Sequence, residues 1–133
     1  LNRKEVCKCV ENRLDFSIIC TEFSYDNQNE ILDLKFLQSK NLKRLQILIN
    51  NKNFHYIPSA SFVNFTLTKL DLSKNEIDRI ELNAFSGIRS MRRLELNENK
   101  LTSLDSLIRE FSLLNRNQLD SLDDLGLSRN HIK

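Results

Sequence analysis

At 133 residues the chain has the length of one ordinary domain, and 40% hydrophobic residues with a net charge of +2 predict a folded, soluble protein rather than a disordered one. Its 20 basic and 18 acidic residues nearly cancel, nine against seven in residues 1–66 and eleven against eleven in the rest, which argues against charge-driven binding to nucleic acid or an anionic membrane surface. Two glycines and one proline are too few for the tight turns of a β-sandwich, and no uncharged apolar run approaches the roughly 18 residues of a membrane span, so no membrane contact is expected within this segment.

The chain begins Leu-Asn-Arg-Lys, with neither an initiator Met nor a signal peptide, and a processed product or an excerpt is the expectation. Cys7, Cys9 and Cys20 all fall near this end. A Cys-x-Cys pair followed by a single further cysteine lacks the paired knuckles of a zinc site, and no histidine lies nearby, so no metal site is expected. A small disulfide cap is the better reading, and such a cap implies an oxidising compartment. Cys20 could take either Cys7 or Cys9, leaving the other thiol free. The segment Ser17-Ile18-Ile19-Cys20 reads as a cap strand one repeat length ahead of Leu45, and ILDLKFLQSKNL as its return wall.

From residue 42 onward one frame recurs, apolar-x-x-Leu-x-apolar-x-x-Asn: LKRLQILIN at 42–50, LTKLDLSKN at 67–75, MRRLELNEN at 91–99 and LDDLGLSRN at 122–130. A fixed period of this kind is the signature of a stacked repeat, each unit too small to bury its apolar face alone. The alternation within each frame, as in Leu70-Asp71-Leu72, predicts a short strand with one face buried. Stacked side by side these strands make a parallel sheet. The asparagines Asn50, Asn75, Asn99 and Asn130 are placed to hydrogen-bond the turning backbone and to form a ladder across repeats, which accounts for the scarcity of Gly and Pro. In the first unit NNKNFHYIP reads as a two-residue insertion, after which Phe54 and Ile57 take the places of Ile77 and Ile80, with Phe62 and Phe85 on the return wall.

The third unit is longer, 31 residues from Asn99 to Asn130, and LDSLIREFSLLNRNQLDSL within it predicts a helix on the outer wall. Ser103 or Asp105 would cap this helix, and Leu107, Ile108, Phe111 and Leu114 follow at helical spacing. The chain stops three residues after Asn130, in mid-repeat, so the native protein is expected to continue.

These four registered copies resemble the leucine-rich-repeat family, in its extracellular class with a typical repeat of about 24 residues. The resemblance implies an α/β solenoid: a right-handed curved superhelix with a parallel β-sheet on the concave side and an irregular or helical convex side. Residues 1–41 would be the cysteine-containing N-terminal cap and a first atypical repeat. Residues 42–133 would be the repeats, divided as 42–66, 67–90, 91–121 and a partial 122–133. The cap motif of the family has four cysteines, the first bonded to the third and the second to the fourth. Its last three match C-K-C and the cysteine of LDFSIIC, so the resemblance implies a Cys7–Cys20 bond and a partner for Cys9 upstream of this chain.

Residues between the buried leucines are expected to point to the concave face. The candidate ligand-binding residues are therefore Lys43, Arg44 and Gln46, then Lys69, Asp71 and Ser73, then Arg92, Arg93, Glu95 and Asn97, then Asp123, Asp124 and Ser128. Arg44, Lys69 and Arg93 would form a basic stripe that turns acidic at the last repeat. Leu48 and Ile49 are apolar at outward places of the frame, and packing beneath the cap and the inserted loop is favoured over anchoring a partner. Asn64-Phe65-Thr66 is a sequon for N-glycosylation on the outer side of the turn before Leu67. Neither His55 nor His131 has a Ser, Cys or acid at a catalytic spacing, and no Gly-rich phosphate loop occurs, so neither catalysis nor a cofactor is expected. The function implied is protein–protein recognition by a secreted protein or cell-surface ectodomain in adhesion, guidance or innate immunity. Its partner would be an acidic or glycosylated protein, with homo- or hetero-dimerisation through repeat surfaces. The alternatives are a matrix component binding fibrous proteins or glycans, and an enzyme inhibitor.

Overall fold

The computed structural model describes residues 8–12, 17–22, 45–49, 55–59, 61–114 and 121–133. Eight strands and one helix occur among them: β1 (Lys8–Asn12), β2 (Ser17–Glu22), β3 (Leu45–Leu48), β4 (Tyr56–Ile57), β5 (Val63–Asp71), β6 (Arg79–Ile80), β7 (Gly87–Glu95), α1 (Asp105–Leu113) and β8 (Asp124–Gly126). Six strands form one sheet in the order β1-β2-β3-β5-β7-β8, and β4 and β6 pair in a second. Only β1 runs antiparallel to its neighbour β2; the rest of the large sheet is parallel, as strands contributed one per repeat must be.

The core lies between the two sheets. Ile47, Ile49, Leu70, Leu72, Leu94 and Leu96 are fully buried from the strand side, and Ile57, Ile77, Ile80 and Leu101 close it from the other. Phe62 and Phe85 stack across two repeats with ring centroids 5.8 Å apart, filling the wall behind β5 and β7. Burying a side chain of this kind contributes roughly 1.5–3 kcal/mol, against about 0.5–1.5 kcal/mol net for a single hydrogen bond of the ladder.

The first repeat departs from the frame read in the sequence. Ile47 is the register partner of Leu70 and Leu48 of Asp71, and the Ile49 N–H donates to the Asp71 carbonyl at 2.8 Å. The inward pair is therefore Ile47 and Ile49, two residues later than Leu45 and Ile47. Both alternations exist in Leu45-Gln46-Ile47-Leu48-Ile49, and a two-residue slip keeps the same faces in and out. The later frame wins because it needs no insertion: fifteen residues separate Ile47 from Phe62, as they separate Leu70 from Phe85. Ile57 then falls beside Ile80 in the second sheet.

Sharp turns follow β5, β7 and β8 without glycine. Lys74, Glu98 and Arg129, the residue before the asparagine in three successive repeats, all take positive φ of 55–58°. A side chain in that left-handed region costs about 1–2 kcal/mol, and the asparagines that follow offset it. Asn99 Nδ2 donates to the carbonyls of Leu72 and Leu96, at 3.0 and 3.1 Å, while its Oδ1 accepts from Ile77 N. Asn75 Nδ2 donates likewise to Ile49 and Leu72, and Asn130 Nδ2 to Leu96 and Leu127, with Leu101 N donating to the Asn130 Oδ1. Each asparagine thus ties its own turn to the turn before it. Asn50 lies outside the described residues.

The helix α1 replaces the short second-sheet strand in the third repeat. Leu107 is buried and Leu104, Phe111 and Leu114 are partly so, but Ile108 is 61% exposed, contrary to its expected place on the packed face. Its inward place is taken by Glu110, only 1% exposed, whose carboxylate accepts hydrogen bonds from the backbone N–H groups of Asn83 and Phe85. The carboxylate thereby fastens α1 to the preceding repeat. The N-cap is Leu104 rather than Ser103 or Asp105; Ser103 Oγ, one residue earlier, accepts from Asp105 N.

Candidate functional site

The outward side chains of β3, β5, β7 and β8 fall into rows running across the repeats. Gln46, Lys69, Arg93 and Asp124 are successive register partners, and so are Leu48, Asp71, Glu95 and Gly126. Arg92 and Asp123 make a shorter row on one side, joined by Asp123 N donating to Arg92 O. On the other, the turn carries Ser73, Asn97 and Ser128. Of the expected face residues, Lys43 and Arg44 lie outside the described residues. Ser73 is buried and its N–H donates to Asp71 Oδ1, and Ile49 belongs to the core rather than to the face. Leu48 is half-buried beside Asp71.

The two-residue shift also redraws the charge pattern. The row neighbour of Lys69 is the neutral Gln46, not Arg44, and the arginines of the third repeat meet acids of the fourth. Arg92 reaches Asp123 through both Nε and Nη2, at 3.2 and 3.1 Å, and Arg93 Nη2 lies 3.2 Å from an Asp124 oxygen. Arg129 pairs with Glu98 at 3.5 Å. These side chains are 39–78% exposed and the pairs contribute roughly 0–1 kcal/mol each. Their effect is on the field: among the described residues of the face Lys69, Lys74, Arg92, Arg93 and Arg129 balance Asp71, Glu95, Glu98, Asp123 and Asp124, and Lys69 and Arg93 stand side by side in the row that ends at Asp124.

One feature of this face was not foreseen. Gly126 stands in the row where the two preceding repeats carry Asp71 and Glu95. A Cβ built there would collide with Glu95 Oε2 and crowd both side-chain amide atoms of Asn97. The missing side chain lets Glu95 lie across β8, where Asn97 Nδ2 donates to it at 2.7 Å. Asn97 Oδ1 in turn accepts from the N–H and hydroxyl of Ser128. The signal was present in the sequence as a glycine in a column of acids.

At the amino-terminal end the backbone register sets Cys9 across from Cys20; Cys7, and with it the expected Cys7–Cys20 bond, lies outside the described residues. Asn64 lies in β5 at a register shift, without a Cα partner in β7. His55 is exposed beside Glu76, with Nδ1 3.5 Å from the carboxylate, and Lys100 reaches the same carboxylate at 3.7 Å. Among the described residues no group of three or more His, Cys, Asp or Glu side chains is arranged to hold a metal.

A leucine rich repeat family model matches residues 40–101 and 66–132. The chain belongs to the leucine-rich-repeat family, whose repeats generally mediate protein–protein interaction. No curated protein and no solved structure matches it.

Proposed function

We propose that this chain is part of an extracellular recognition protein that binds a protein partner on its strand face and performs no chemistry there. In this reading the repeats coil into a right-handed solenoid, the parallel sheet forms its concave side, and α1 stands on the convex side. The observation that carries it is the row structure of the face. Hydrogen-bonding and charged side chains, cross-linked from repeat to repeat by Arg92–Asp123, Arg93–Asp124 and the Glu95–Asn97–Ser128 chain, are held in place over a buried apolar core. Preorganised polar groups of alternating charge favour specificity over bulk attraction. The partner is accordingly a protein surface of mixed charge rather than a uniformly acidic one.

The cysteines support the extracellular compartment of this reading. Facing residues of an antiparallel pair have Cα atoms about 4.5–5.5 Å apart, within the span of a disulfide, and Cys9 and Cys20 are such a pair. An oxidised cap would be stable outside the cell and short-lived in the cytosol. Non-reducing peptide mapping of the full-length protein separates a Cys9–Cys20 bond from the Cys7–Cys20 bond implied by resemblance; three reduced thiols would remove the extracellular reading.

Binding is tested by screening the full-length protein against a panel of secreted proteins and receptor ectodomains. Any binder found is then tested on Lys69→Glu and Arg93→Glu variants, with Arg109→Glu on exposed α1 as control. Loss of binding in the two strand-face variants alone is the expected result. Loss confined to the Arg109 variant would move recognition to the helical side.

A further inference from the structure

We propose that Asn64 is the acceptor of an N-linked oligosaccharide, placed outside the charged rows so that partners are confined to the strand face. The inference rests on the extracellular reading above.

The sequon Asn64-Phe65-Thr66 occupies the first half of β5. Here the strand is irregular: Val63 partners Gly87 and Phe65 partners Ile88, which leaves Asn64 as an extra residue between them. A residue of this kind is held out of the hydrogen-bonded ladder. On β7 the next step passes from Ile88 to Ser90, so Arg89 is the compensating extra residue, and it is exposed. The two bulges cancel, and Leu67 and Met91 return to register.

The next repeat shows what kind of position this is. Phe85 and Ile88 are buried there, whereas Ser86 between them is exposed and Gly87 half-exposed. By backbone register Asn64, between Val63, the partner of Gly87, and Phe65, the partner of Ile88, falls in the matching stretch of its own repeat. Thr66, whose hydroxyl completes the sequon, is exposed. On β3 pairing with β5 begins at Leu67, so no described residue of that strand is registered with Asn64. The nearest outward row residue of β5 is Thr68, four residues on, or about 13 Å along an extended strand. A bulky, hydrated glycan at this place crowds the start of the strand and leaves Lys69, Asp71 and their neighbours free.

The chemistry needs a membrane oligosaccharyltransferase and a lipid diphosphate-linked oligosaccharide as donor. Asn64 Nδ2 attacks the anomeric carbon, the carbon–oxygen bond to the diphosphate breaks as the carbon–nitrogen bond forms, the lipid diphosphate leaves with the bonding pair, and the amide gives up one proton.

The test is to secrete the full chain from mammalian cells behind a cleavable signal and to map its peptides by mass before and after peptide-N-glycosidase. A single glycan on the Asn64 peptide is expected, absent in Asn64→Gln and Thr66→Ala and kept in Thr66→Ser. If Asn64→Gln is not secreted, the two Thr66 variants decide alone. A secreted, disulfide-bonded chain with bare Asn64 overturns the proposal. Failure of the extracellular reading shows separately, as reduced cysteines in the protein from its native source, whatever the occupancy under forced secretion.

Discussion

Asn99 is 3% exposed and serves carbonyls and an amide of two successive turns, so its loss leaves buried backbone groups without partners. Asn99→Ala is expected to destabilise by about 2–3 kcal/mol, measured by denaturant unfolding. Asn130→Ala, at a half-buried position of the same ladder, should cost clearly less; equal losses would mean that the turns, not the ladder, carry the energy. Lys74 poses the opposite test. Its side chain is exposed and its φ is 58°, so Lys74→Gly should raise stability by about 0.5–1 kcal/mol, the relieved strain exceeding the added freedom of the unfolded chain. At Gly126 even a methyl group displaces Glu95 and Asn97, and Gly126→Ala should weaken partner binding more than it lowers stability, read by comparing affinity with unfolding midpoint.

At the scale of elements, α1 is the clearest case of what the sequence did and did not make legible. The spacing of Leu107, Phe111 and Leu114 announced a helix in the long third repeat, because apolar period 3.6 is a local property. The same rule put Ile108 inside and could not put Glu110 there, since a buried carboxylate is recognisable only when the N–H groups of Asn83 and Phe85 that hold it are in view. Glu110→Ala should cost about 1–3 kcal/mol and speed amide exchange at Asn83 and Phe85 before it does so in β7. Uniform acceleration across the chain would contradict a local fastening role. The frame of the first repeat was misread for a related reason. Leu45-Gln46-Ile47-Leu48-Ile49 supports two alternations equally, and the register of β3 on β5, the pairing of β4 with β6 and the stack of Phe62 on Phe85 choose between them.

For the whole molecule, the repeat period was readable because every copy must present leucines to the same core, and the parallel order of the sheet follows from that period. The rows of the face were readable in outline: Lys69, Asp71, Arg93, Glu95, Asp123 and Asp124 do line one side of the sheet. Their electrostatics were not, because the pairing of Arg92 with Asp123 and Arg93 with Asp124 joins residues 31 apart in sequence. A face whose charges are already matched should bind its partner with little dependence on salt. Affinity is expected to fall less than about tenfold between low and physiological ionic strength, and a steeper fall would restore a uniformly charged partner. The central claim, that recognition occupies the strand face, is tested most directly by hydrogen exchange of the full-length protein with and without its bound partner. Protection is expected in peptides covering residues 68–73, 92–97 and 123–128, with α1 unchanged. Protection confined to α1 and the 82–86 turn would contradict it.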